Sequence, residues 1–114
     1  GWLVVDAEAT TLRKQRIIAD GQYVVRVDDG DTLACSSDGQ RLLLDRLDRA
    51  FALVDVVVVS DYGYGACPDS LIARMVQLRT ARPVPLVVDS KQLRRFTTAG
   101  ATIVSPNHLG ARLL

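Results

Sequence analysis

Three apolar runs in this chain end in polar side chains that could meet a ligand. Val54-Asp55-Val56-Val57-Val58-Val59 leads into Ser60-Asp61-Tyr62, Leu86-Val87-Val88 into Asp89, and Ala101 to Val104 into Ser105-Pro106-Asn107. Four consecutive valines, Val56 to Val59, need cover on both faces, which predicts a central strand of a parallel sheet. In such sheets ligands bind in the crevice at the carboxyl ends of the strands. Asp61, Asp89 and Asn107 are then expected at one crevice with Lys91 beside them, although Asp and Asn at such positions also serve as helix caps. Tyr62-Gly63-Tyr64-Gly65 could bring backbone amides to an anion at the start of the next helix. It is neither a GxGxxG fingerprint nor a Walker A loop.

The chain has two lysines, Lys14 and Lys91, and both fall at candidate positions. Lys14 and Arg16 share a strand face and make a small cationic clamp, suited to a phosphate or a sugar phosphate. The same charges are also ordinary on an exposed ribbon. His108 has no second ligand in sight and makes a poor metal site. Asp28-Asp29-Gly30-Asp31 lacks the glutamate of a calcium loop and reads as a solvated turn. No activated serine, Cys–His pair or pair of catalytic carboxylates can be argued. The motifs position a ligand without supplying a base, so no catalytic residue and no metal ligand is assigned.

The elements that must hold these groups follow from apolar periodicity. Arg16 to Ala19 and Gln22 to Asp28 read as strands joined by Asp20-Gly21, the signal for a two-residue type I′ turn. Regular pairing puts Ala19 opposite Gln22. It sets Lys14, Arg16, Ile18, Tyr23, Val25 and Val27 on one face, with Gln15, Ile17, Val24 and Arg26 on the other. A ribbon of two strands is marginal alone and must lean on something else. Leu43, Leu47, Ala50 or Phe51, and Val54 recur at helical spacing between Gln40 and Val54. A second helix runs from about Pro68 to Ala81, with Leu71, Ile72, Met75, Val76 and Leu78 as its apolar stripe. Leu86 to Asp89 is a short buried strand, Gln92 to Thr98 a short helix, Ala101 to Val104 a third strand, and a last helix opens at Pro106-Asn107. Strand–helix alternation of this kind predicts an α/β fold of parallel βαβ units with right-handed crossovers.

The size and composition suit one domain. The 114 residues are 48% hydrophobic and 24% charged, and the net charge of +1 gives no bias toward nucleic acid or an anionic membrane. No apolar run approaches the roughly 20 residues of a membrane span, and the first residues lack a signal-peptide pattern. Cys35 and Cys67 lie far apart without CxxC spacing, as free thiols of a reducing cytoplasm would. The first residue is not Met and the final helical pattern stops soon after it starts, as expected for a piece of a larger protein.

Five motifs in order carry a resemblance. Thr10-Thr11-Leu12-Arg13-Lys14-Gln15-Arg16, Gln22 through Arg26-Val27-Asp28, Ser60-Asp61-Tyr62-Gly63-Tyr64-Gly65, Asp89-Ser90-Lys91 and Ser105-Pro106-Asn107 resemble the middle of the ribokinase-family (phosphofructokinase-B type) sugar kinases. Within that family they resemble the kinase module of the D-β-D-heptose 7-phosphate kinases, often fused to an ADP-heptose synthase. The resemblance implies a Rossmann-like parallel core, with residues 1–31 as a lid-like hairpin segment that often helps form a homodimer and residues 32–114 as part of the core. It implies ATP- and Mg²⁺-dependent phosphorylation of a sugar phosphate at its anomeric hydroxyl, here D-glycero-β-D-manno-heptose 7-phosphate to the 1,7-bisphosphate. Lys14, Arg16, Asp61, Tyr62 and Lys91 would then face the substrate and Asp89 and Asn107 the nucleotide, with Asn107 matching the asparagine of a family motif that organises Mg²⁺ and phosphate. The chain departs from the pattern at Gly110, where the family has a glutamate, and at Tyr64, where a lysine is usual. The family's Gly-Ala-Gly-Asp segment is expected downstream of Leu114. On those departures the alternative is a module that binds a sugar phosphate or nucleotide without chemistry.

Overall fold

The computed structural model describes residues 1–30 and 34–105. Asn107, His108 and Gly110, and the helix expected at Pro106-Asn107, lie outside the described residues.

Strands β1 (Arg13–Ala19) and β2 (Gln22–Asp29) form an antiparallel hairpin. Asp20 and Gly21 close it with φ of 51° and 73°, the doubly left-handed turn that matches strand twist. Ala19 lies opposite Gln22 and Ile18 opposite Tyr23, as regular pairing requires, but Ile17 lies opposite Val25. A β-bulge therefore inserts one extra residue into β2 and shifts the rest of the register. The expected division of faces is corrected by it. Lys14 pairs with Asp28 and Arg16 with Arg26, while Gln15 pairs with Val27 and Ile17 with Val25. Regular pairing would have mixed charged and apolar side chains on each face. The bulge gathers Lys14, Arg16, Arg26 and Asp28 on one face beside Ile18 and Tyr23, and Gln15, Ile17, Val25 and Val27 on the other beside the Arg13–Asp29 pair, because a one-residue shift moves a strand's side chains to the opposite face.

Helix α1 (Ser37–Phe51) starts three residues before the expected Gln40. Ser36 caps it by accepting from the Gly39 amide at 3.0 Å. The Asp6 carboxylate in turn accepts from the Ser36 amide at 2.8 Å and the Ser36 hydroxyl at 2.9 Å. This double bond anchors the N-terminal segment to the start of α1, where a negative charge is favoured.

Strand β3 (Val57–Asp61), helix α2 (Asp69–Ala81), strand β4 (Leu86–Ser90), a 3₁₀ helix (Leu93–Ala99) and strand β5 (Ile103–Val104) complete the order. The three strands are parallel and run β3-β4-β5 across the sheet. Pro68 occupies the N-cap of α2, where its missing N–H costs nothing. Leu86 and Val88 of β4 are fully buried against Ile72 and Met75 of α2 and Leu93 and Phe96 of the 3₁₀ helix. Four valines in a row had predicted a central strand covered on both faces. Among the described residues β4 is central instead, β3 has one neighbour, and Val58 is 64% exposed. Only the face carrying Val57, Val59 and Asp61 is packed.

The close approach of Asp6 to α1 makes Gly39 a sensitive position. A Cβ there would stand 2.5 Å from an Asp6 carboxylate oxygen and 2.7 Å from Cys35 Sγ. Helix propensity alone would make Gly39→Ala stabilising by about 1 kcal/mol. We predict the opposite, a loss of about 1–2 kcal/mol in urea unfolding, because the methyl group displaces the carboxylate from Ser36.

The Asp6 carboxyl titrates below its ordinary value of 3.8, held down first by the Ser36 amide and then by the Ser36 hydroxyl. Its contribution to stability is present above the unfolded value and lost as pH falls through the folded one. Asp6→Asn should remove that acid-side loss in a pH series of unfolding curves.

Candidate functional site

Asp61 ends β3 with its carboxylate buried, and burial obliges that group to find donors. One oxygen accepts from the Gly63 amide at 2.9 Å and the other from the Ser90 hydroxyl at 3.1 Å. Arg95 Nη1 lies 3.5 Å away, while its Nη2 donates to the Asp69 carboxylate at 2.6 Å and the Cys67 carbonyl at 2.8 Å. Asp69 first, and Asp61 more weakly, raise the Arg95 pKa, so the cation is permanent. Asp61 thus bends the chain at Tyr62-Gly63 and ties β3 to β4. Gly63 takes φ of 76°, a left-handed conformation that a side chain would oppose.

The strand register separates the two acids expected together. Asp61 pairs with Ser90 and Ser60 with Asp89, so Asp61 points to the packed face and Asp89 to the open one. Both stand at the same end of the sheet. Together with Tyr62, Ser90 and Lys91 they line a small pocket of about 160 Å³. The Asp89 side of that pocket remains available to a ligand, whereas the Asp61 carboxylate is occupied by the protein's own donors.

A larger cleft of about 940 Å³ opens between the hairpin and the loop after β3. Lys14, Arg16 and Arg26 of the hairpin line it, with Tyr62, Tyr64 and Lys91 from the sheet end. Lys14 Nζ donates to the Tyr64 phenol oxygen at 2.7 Å, a direct polar tie between hairpin and core. The Tyr62 and Tyr64 rings are nearly parallel, 10° apart in orientation with centroids separated by 6.5 Å. Lys14 Nζ lies 4.6 Å and Lys91 Nζ 5.7 Å from the Tyr64 ring centroid, both within cation–π reach. Tyr64, at the position where a lysine was the usual residue, therefore gathers two cations around one ring.

The candidate residues Lys14, Arg16, Tyr62 and Lys91 thus meet around one cleft, and Asp89 and Lys91 meet at the adjoining pocket. Arg26 and Arg95 escaped the sequence reading. Arg26 reaches the cleft only through the bulge, and Arg95 carries no motif. Burial pushes the Cys67 thiol up to about 11 and raises Cys35 as well, so neither is a ready thiolate nucleophile. Among the described residues no group of three or more His, Cys, Asp or Glu side chains could hold a metal ion. No helix among them is long and apolar enough to cross a membrane.

Comparison with curated proteins returns one name repeatedly. The bifunctional protein HldE of Azorhizobium caulinodans is 38% identical over 92% of this chain and 22% of its own length. Those of Gluconacetobacter diazotrophicus and Gluconobacter oxydans are 35% and 32% identical over 92% and 96% of the chain. The chain is homologous to one stretch of the HldE proteins. This bears out the resemblance drawn from the five motifs. The chain spans about 22% of the length of these relatives. No family model matches the chain, and no solved structure matches it.

The Lys14 ammonium is the first cause of a lowered Tyr64 phenol pKa, so the phenol titrates below its ordinary value of 10.0. A depressed phenol adds stability that is fully present above the unfolded value and is lost as pH falls through the folded one. Lys14→Met should move the Tyr64 ionisation upward in an ultraviolet pH titration, identified by its loss in Tyr64→Phe.

Proposed function

We propose that this chain forms the sugar-phosphate side of a heptose 7-phosphate kinase cleft, within a longer HldE-type protein. The observation that carries the proposal is the convergence of Lys14, Arg16 and Lys91 with the Tyr62–Tyr64 pair on one cleft of about 940 Å³. Cations of this kind suit the phosphate of D-glycero-β-D-manno-heptose 7-phosphate, and the exposed Tyr62 ring offers an apolar surface to the sugar. Asp61 acts as the positioning residue for Tyr62 through its bonds to Gly63 and Ser90. The hairpin, residues 1–31 in the division read from the sequence, serves as the lid, and residues 32–114 belong to the core. The exposed hairpin face of Ile17, Val25 and Val27 suits a homodimer contact.

ATP, when bound, would supply the phosphoryl group for the anomeric hydroxyl. Lys91, at the mouth of both pockets, is placed to hold a phosphate oxygen, and Asp89 beside it faces the open side of the sheet. Mg²⁺ is commonly held by one or two carboxylates together with nucleotide phosphates, and among the described residues Asp89, which lines the small pocket, would supply such a carboxylate. Asn107, the other residue assigned to the nucleotide and metal, lies outside the described residues. The base would come from the family's Gly-Ala-Gly-Asp segment, and the protein would act in the cytoplasm.

Isothermal calorimetry of the chain with heptose 7-phosphate should show saturable binding. Lys14→Ala with Arg16→Ala should weaken it by about tenfold or more, or about 1.4 kcal/mol per decade. Unchanged affinity in the double variant would remove the hairpin from the site. In a full-length protein carrying this chain, ATP turnover with another sugar but not with heptose 7-phosphate would move the assignment within the kinase family.

A further inference from the structure

The bulge in the hairpin sets two arginines at opposed positions of the ribbon. Arg16 and Arg26 occupy directly opposed positions across β1 and β2, and both line the cleft. Such positions hold Cβ atoms roughly 4.5–5.5 Å apart, and like charges there destabilise a ribbon. Regular pairing would have avoided the conflict by placing Val25 opposite Arg16 and Arg26 on the far face. Asp28 relieves part of it through an ion pair to Arg26 Nε at 2.9 Å. That bond spends one edge of the fork and leaves the terminal nitrogens of Arg26 for another acceptor. The cleft carries four cations, Lys14, Arg16, Arg26 and Lys91, against two carboxylates already engaged: Asp6, bonded to Ser36, and Asp28 at its edge, paired with Arg26. An anion between the two arginines would turn the repulsion into a pair of charge-assisted bonds.

We infer that Arg26 is a further anion-binding residue of this cleft and forms, with Arg16, a cradle of two guanidinium groups for a phosphate monoester. The identity of the ligand as a sugar phosphate rests on the reading proposed above; the cradle itself rests on the hairpin register and the charges lining the cleft. The bulge acts as the specificity device, because it brings Arg26 to the cleft side. Two planar forks select a tetrahedral dianion over a carboxylate monoanion, which fills only one of them.

The test is calorimetric titration of the full chain with heptose 7-phosphate and, separately, with inorganic phosphate. Arg26→Gln should weaken both by about tenfold, and Arg26→Lys should recover part of the loss by restoring charge without the fork. Cross-strand nuclear Overhauser contacts between Ile17 and Val25 report whether the hairpin remains folded in each variant. If Arg26→Gln unfolds it, Arg26→Lys carries the test, with an expected loss of a few-fold. A folded Arg26 variant that binds as tightly as the parent, while Arg16→Gln binds weakly, overturns the role of Arg26 and leaves the proposed function standing. Arg26-dependent binding of inorganic phosphate without binding of heptose 7-phosphate supports the cradle and overturns the proposed function. Failure of the unsubstituted chain to bind either anion overturns both.

Discussion

A carboxylate removed from water must find donors, and the donors that Asp61 finds shape the floor of the cleft. Gly63 and Ser90 each give it a hydrogen bond, and Arg95 approaches from the 3₁₀ helix. Those three contacts come from the loop after β3, the end of β4 and the element that follows β4. One buried acid therefore fixes where the loop turns, how the two strand ends meet and where Lys91 emerges. Arg95 extends the constraint to the start of α2 through Asp69 and the Cys67 carbonyl. Tyr62 and Tyr64 gain their near-parallel arrangement on this frame.

The roof depends on a different constraint. All of β1 and β2 is exposed, so burial does little to hold the hairpin in place. Its side-chain tie to the cleft floor is polar, from Lys14 to the Tyr64 phenol. A bond between exposed groups of this kind competes with water and holds the hairpin only weakly. The bulge then decides which chemistry the hairpin presents. It brings Arg26 to the cleft beside Lys14 and Arg16 and leaves Ile17, Val25 and Val27 on the outer face, so that one inserted residue gathers the cations on one side of the ribbon.

Much of this was legible in the chain, for reasons specific to each element. Asp20-Gly21 reveals the hairpin turn because few other pairs accept two left-handed residues in succession. Apolar periodicity reveals α2, and the apolar run before Asp89 reveals β4, because their buried side chains fall at regular intervals. The bulge was not legible, since Tyr23-Val24-Val25 is a run of strand-forming residues that pairs acceptably in either register. The relative directions of Asp61 and Asp89 were hidden for a related reason: each is visibly a strand end, but only the pairing of Ser60 with Asp89 shows that they point to opposite faces. The valine run promised cover on two faces and received it on one, because composition reports a need for burial without naming what satisfies it. The start of α1 was misjudged because Ser36, Ser37 and Asp38 all suit a cap, and only the contact with Asp6 singles out Ser36.

The proposed occupant of the cleft between hairpin and sheet end is a sugar phosphate. Amide chemical-shift mapping of the isotope-labelled chain during addition of heptose 7-phosphate tests it most directly. The account predicts saturable shifts at Lys14, Arg16, Arg26, Lys91 and the Tyr62–Gly65 loop, with little change at the far end of α2 near Ala81. Shifts confined to the outer hairpin face or to α2, or no saturable shifts at all, would contradict it.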